Sequence, residues 1–94
     1  MLYRQMVTAA FIDAQCENTQ LYIDTEDPRA LAYHVGFLID YYDGWSKTLA
    51  GSPIAKIARR DYQQALTNAV TAFRRMSTND LGSDPQAWIQ KYDH

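Results

Sequence analysis

The chain has 94 residues, 47% of them apolar, and a net charge of −2, which is enough apolar material for one core over residues 1–94 and rules out both a disordered chain and a pair of cores. A single cysteine, Cys16, excludes an intramolecular disulfide and a cysteine-built zinc cage. The charge is uneven, three bases against seven acids in residues 1–50 and six bases against four acids in residues 51–94, a separation suited to packing of the two halves or to association with a charged partner.

At the amino terminus Arg4, Gln5, Thr8 and Asp13 interrupt the apolar residues, so the segment reads as neither a signal sequence nor a membrane span. With one cysteine and no such segment, a cytoplasmic chain with no membrane partner is expected. The first helix is expected from residue 3 to somewhere between residues 15 and 22. At about 100° per residue, Tyr3, Met6, Val7, Ala10, Phe11 and Ala14 share one apolar face, and Leu21 continues it. Glu17, Asn18 and Thr19 are weaker helix formers, and the alternative is a short extended segment at Leu21, Tyr22 and Ile23.

Three prolines follow residues with good capping oxygens: Asp27 before Pro28, Ser52 before Pro53 and Asp84 before Pro85. The preceding side chain accepts bonds from the orphan N–H groups of the first turn, and proline at the first helical position has no N–H to leave unpaired. Each pair therefore marks a helix start. In the second helix Leu31, Val35, Leu38, Tyr42, Trp45 and Leu49 recur at spacings of four and three, a bundle seam that ends at Gly51. In the third, Ala58, Tyr62, Ala65, Ala69, Ala72 and Met76 repeat the pattern, flanked by Leu66 and Phe73, and the alanines admit a close neighbour. A connection of two or three residues sets the second and third helices antiparallel. After a polar segment around Gly82, a short fourth helix from residue 85 to about residue 92 is anchored by Trp88 with Ile89. The expected fold is all-α, an antiparallel up-and-down bundle of three long helices plus a short C-terminal one.

The motifs of the common enzyme classes are absent: no HExxH, no phosphate-binding glycine loop, no dinucleotide fingerprint, no nucleophile elbow. Paired Glu-x-x-His units of the kind that hold metals inside bundles are missing too, and no calcium-loop pattern is present, so no metal or other cofactor is expected. Cys16 has no histidine near it in sequence and reads as packing or surface. Arg29 and His34 have the Arg-x4-His spacing that resembles helical ribonucleases of the HEPN type. That resemblance implies an Arg and a His acting on a phosphodiester, with the His moving protons and the Arg neutralising phosphate charge. It covers two residues only, and the polar residue often found after the arginine is Ala30 here.

Two surfaces remain as binding candidates. Lys56, Arg60, Gln63, Thr67 and Arg74 line the outer side of the third helix, with Arg59 and Arg75 nearby, a stripe able to meet phosphates of DNA or RNA. Tyr33, Phe37 and Tyr41 lie on a flank of the second helix rotated away from its seam, with Gly36 and Gly44 close by. A helix with apolar or small residues around so much of its circumference has more than its own chain needs to bury, and aromatic rings bury large areas at small entropic cost. Asp40 and Asp43 lie on its polar back, and Asp13, Glu17, Asp24, Glu26 and Asp27 add negative charge around the first helix. The sequence therefore points first to a non-enzymatic protein-binding domain, an adaptor, inhibitor or regulator, that forms a homodimer through Tyr33, Phe37 and Tyr41 and meets an unidentified protein partner. A nucleic-acid-binding regulator using Lys56, Arg60 and Arg74 is the runner-up, and a ribonuclease using Arg29 and His34 the third reading.

Overall fold

Helix starts are set where the capping pairs fall. In the computed structural model, which describes residues 2–49, 51, 53–77 and 80–92, and side chains only from residue 10 onward in the first helix and up to residue 47 in the second, the elements are α1 (Leu2–Asp24), α2 (Pro28–Leu49), α3 (Pro53–Met76) and α4 (Pro85–Tyr92). Asp27 Oδ1 accepts from the N–H groups of Arg29 at 3.0 Å and Ala30 at 3.4 Å. Asp84 Oδ1 accepts from Gln86 N–H at 3.0 Å. Each satisfies donors the first helical turn leaves open. Ser52, the third expected cap, lies outside the described residues. Gly51 takes φ +80° directly after α2, the left-handed conformation that closes a helix without a Cβ clash.

The expected all-helical architecture is the one observed. α1, α2 and α3 pack as an antiparallel up-and-down bundle, and α4 lies against α2 and α3. α1 runs helically through Glu17, Asn18 and Thr19 and on to Asp24, so the extended alternative at Leu21 does not occur. It ends through Glu26, which takes φ 57° in the left-handed region and forms an ion pair with Arg75 at 3.0 Å.

The core has two parts. Ile23, Leu31, Ala32, Val35, Ala69, Val70, Ala72 and Phe73 are buried together with Trp88. The Trp88 ring stacks on Phe73 with centroids 5.4 Å apart, and its Nε1–H donates to Gly82 O at 2.9 Å. Trp88 is thus the anchor of α4 that the sequence suggested. A smaller cluster forms at Ile12 and Ala58, with Cys16, Tyr41, Tyr42 and Ala55 packed on it. Leu38 is fully buried as well.

The apolar stripe of α1 is turned the wrong way for an amphipathic reading. Its described members Ala10, Phe11, Ala14 and Leu21 are exposed, Leu21 by 63%; the side chains of Tyr3, Met6 and Val7 lie outside those described. The inward side is carried by Ile12, Cys16, Thr19 and Ile23. Those four recur at spacings of four, three and four, the same seam period as α2, but two of them are not strong hydrophobes. The inversion works because Thr19 finds a partner: His34 of α2 lies buried with Nε2 2.8 Å from Thr19 Oγ1. The threonine hydroxyl lies within hydrogen-bond reach of Gln15 O at 3.3 Å and of His34 Nε2 at 2.8 Å, so it can donate to either, and the His34 contact is satisfied in both imidazole tautomers. A buried polar pair satisfied in this way costs little.

Candidate functional site

The outer side of α2 follows from its seam. Leu31, Val35 and Leu38 are fully buried. Positions two residues before each of them form a second row on the opposite side of the helix at the same spacing: Arg29, Tyr33 and Gly36, then Asp40. Arg29, Tyr33 and Asp40 are exposed and Gly36 is half-buried. Tyr33 is the most exposed of the large apolar residues described, at 77%, and Phe37 beside it is 46% exposed.

From Tyr33 the aromatics climb α2 four residues at a time. Phe37 stacks on Tyr41 with centroids 5.8 Å apart, and Tyr41 meets Trp45 at 6.0 Å. Each step of four turns about 40° around the helix, so the ladder winds from the solvent side toward α1. Tyr41 accordingly packs on the Ile12 and Ala58 cluster and is half-buried, while Trp45 is 39% exposed. Two sequence expectations are corrected here. Trp45 is a rung of the exposed ladder, set against Tyr41, rather than a buried member of the core seam. Tyr41 divides its surface between core and solvent. Leu49, the last seam residue, has no described side chain.

On α1, Phe11 is 54% exposed. Tyr22 marks the side of α1 that faces α2, since its ring stacks on His34 at 4.5 Å. Eleven residues are close to three full turns, so Phe11 lies on that same side. Neither exposure is marked locally: the row through Ile12, Cys16, Thr19 and Ile23 that turns Phe11 outward holds a cysteine and a threonine, and Trp45 keeps the phase of the α2 seam.

Between α2 and α4 runs a groove of about 550 Å³. Its lining joins Tyr33 and Phe37 of α2 to Ile89 and Tyr92 of α4, with Ala32, Gly36, Arg29 and Asp40 also lining it. A Cβ added at Gly36 would meet Ile89 Cγ2 at 3.9 Å, an ordinary van der Waals distance. The chain's own packing therefore does not demand a glycine there, although glycine inside a helix costs about 1 kcal/mol against alanine. Among the described residues neither Arg29 nor Asp40 makes an ion pair.

The remaining candidates are dispersed. Arg29 and His34 do not converge within the chain. Five residues on a helix are about 140° apart; the guanidinium lies on the outer side, while His34 is 3% exposed inside the α1–α2 contact. Burial lowers the His34 pKa, partly offset by a hydrogen bond to the Gln15 backbone. Cys16 is half-buried, and burial, followed by the charges of Asp61 and Asp13, pushes its thiol up to about 11. A thiol so placed stays protonated near neutrality and is a poor nucleophile. Lys56, Arg60 and Arg74 are all exposed on the outer side of α3, but Arg74 is engaged by Asp80 at 3.1 Å. No helix among the described residues is long and apolar enough to cross a membrane. No known protein family, characterised protein or solved structure matches this chain.

Proposed function

We propose that the chain is a non-enzymatic protein-binding domain of adaptor, inhibitor or regulator type, and that it works as a homodimer joined through the outer side of α2. The observation that carries this reading is the aromatic ladder: Tyr33 and Phe37 stand exposed over a groove that the chain's own helices line but do not fill. Burying one such side chain is worth roughly 1.5–3 kcal/mol. A two-fold contact repeats every gain, and Phe11 and Trp45 enlarge the apolar area. Against this stands an association cost of at least about 4 kcal/mol, so the expected dissociation constant is micromolar.

The test is the mass in solution of the original protein and of Phe37→Glu. Sedimentation is expected to give a dimer for the original and a monomer of unchanged helical circular dichroism for the variant. A monomeric original at about 500 µM, far above a micromolar dissociation constant, overturns the reading.

The basic side of α3 supports the nucleic-acid reading less well, since Arg74 is already paired with Asp80. Retention on DNA or RNA that falls steeply with salt and disappears in Arg60→Ala/Arg74→Ala would reverse that order of preference.

A further inference from the structure

Resting on that reading, we infer that the second copy docks with its α2 antiparallel to the first, about a two-fold axis passing midway between residues 34 and 35. Each Tyr33 then seats in the other copy's groove over Gly36, and each Arg29 pairs with the other copy's Asp40.

The charges on the outer row choose this arrangement. Along α2 the row reads Arg29, Tyr33, Gly36, Asp40, with a cation at one end, an anion at the other, and a large and a small residue between. A parallel pairing sets Arg29 against Arg29 and Asp40 against Asp40, two like-charge contacts. An antiparallel pairing centred between residues 34 and 35 sets position 29 opposite position 40 and position 33 opposite position 36. Both ends become opposite-charge pairs and both middle positions become a ring against a bare backbone. Moving the axis two residues toward the C-terminus puts Tyr33 over Asp40 and Arg29 over Gly44, which loses both matches. Arg29 and Asp40 are about 16 Å apart along the helix axis at 1.5 Å per residue, too far to pair within one copy. Both are exposed and unpaired among the described residues, so both charges are free for a partner.

The seat for the ring is built. Gly36 lets a second helix approach as no other residue would, and Ile89 and Tyr92 of α4 close the far side of the groove around an incoming Tyr33. This arrangement accounts for the glycine that the isolated fold does not need.

Charge reversal reads the register directly. Arg29→Asp and Asp40→Arg each place like charges at both ends of the interface, and each is expected to weaken the dimer by about tenfold or more. The double variant Arg29→Asp/Asp40→Arg restores both pairs with reversed sign and is expected to return within about threefold of the original. Gly36→Ala, whose Cβ makes only ordinary van der Waals contact with Ile89 in its own chain, is expected to fill part of the seat and weaken the dimer severalfold, with circular dichroism unchanged. If Phe37→Glu breaks the dimer but the single reversals leave it intact, or the double variant fails to recover, this register is wrong while the α2 interface stands. An original protein that stays monomeric removes the interface and the register together.

Discussion

The two sides of α2 invert the usual relation between polarity and burial. On the inner side a histidine and a threonine are buried against each other, His34 Nε2 lying 2.8 Å from Thr19 Oγ1. On the outer side Tyr33 and Phe37 stand in solvent. The inner pair is tolerated because its polar atoms are satisfied: no buried side-chain nitrogen or oxygen among the described residues lacks a partner. The outer rings are left uncovered because α4, eight residues long, lines the groove with Ile89 and Tyr92 without filling it. What decides burial here is which groups find partners, and the outer side of α2 is the place where the chain has not supplied them.

The two tryptophans give the largest test of that contrast. Trp88, with no exposed surface and stacked on Phe73, is expected to cost about 3–5 kcal/mol when replaced by alanine, read from urea unfolding. Trp45→Ala on the open ladder is expected to cost about 1 kcal/mol or less. Equal losses would mean that the ladder is part of the core.

On the inner side, Thr19→Val removes the hydroxyl partner of His34 Nε2 and strands that nitrogen, with an expected cost of about 1–3 kcal/mol. Adding His34→Phe, which keeps a ring against Tyr22, is expected to recover a good part of that loss. Strict additivity in the double-mutant cycle would deny the coupling.

The same histidine sets a pH dependence. Its folded pKa lies below 6.5, so as pH falls the unfolded chain takes up the proton first. The stability His34 confers is whole above pH 6.5 and is lost as pH falls from there through the folded value. Asp13 acts in the opposite sense, since burial and a hydrogen bond with Asp61 raise its pKa above 3.8. The comparison with His34→Phe therefore isolates the histidine: the variant's urea midpoint is expected to lose the decline just below pH 6.5. An unchanged decline would assign it to another group.

The smallest effect is expected at the surface pair of Arg75 and Glu26, both more than half exposed. Arg75→Ala should shift stability by no more than about 1 kcal/mol, with the dimer unaffected. A larger loss would show that the basic and acidic halves of the chain are held together by charge.

The helix starts were legible because capping is local chemistry: Asp27 and Asp84 sit directly before prolines and bond the N–H groups just beyond them. The seam of α2 through Leu38 and the alanine side of α3 were legible because their hydrophobic period is unbroken. The inward side of α1 was not. Ranked by hydrophobicity, Phe11 and Leu21 outweigh Cys16 and Thr19, and nothing local to α1 says that Thr19 will meet His34, fifteen residues away on another helix. The aromatic flank at Tyr33 and Phe37 could be read from its angle to the seam. Its groove could not, because Ile89 and Tyr92 arrive from α4, the far end of the chain.

Amide chemical shifts followed as the protein is concentrated decide whether a second copy covers the outer side of α2. Concentration-dependent shifts are expected at Tyr33, Gly36, Phe37, Ile89 and Tyr92, while Thr19, Ile23 and Val35 stay fixed. Shifts that do not move between about 10 µM and about 1 mM, a range spanning any micromolar self-association, would contradict it, as would shifts confined to the basic side of α3.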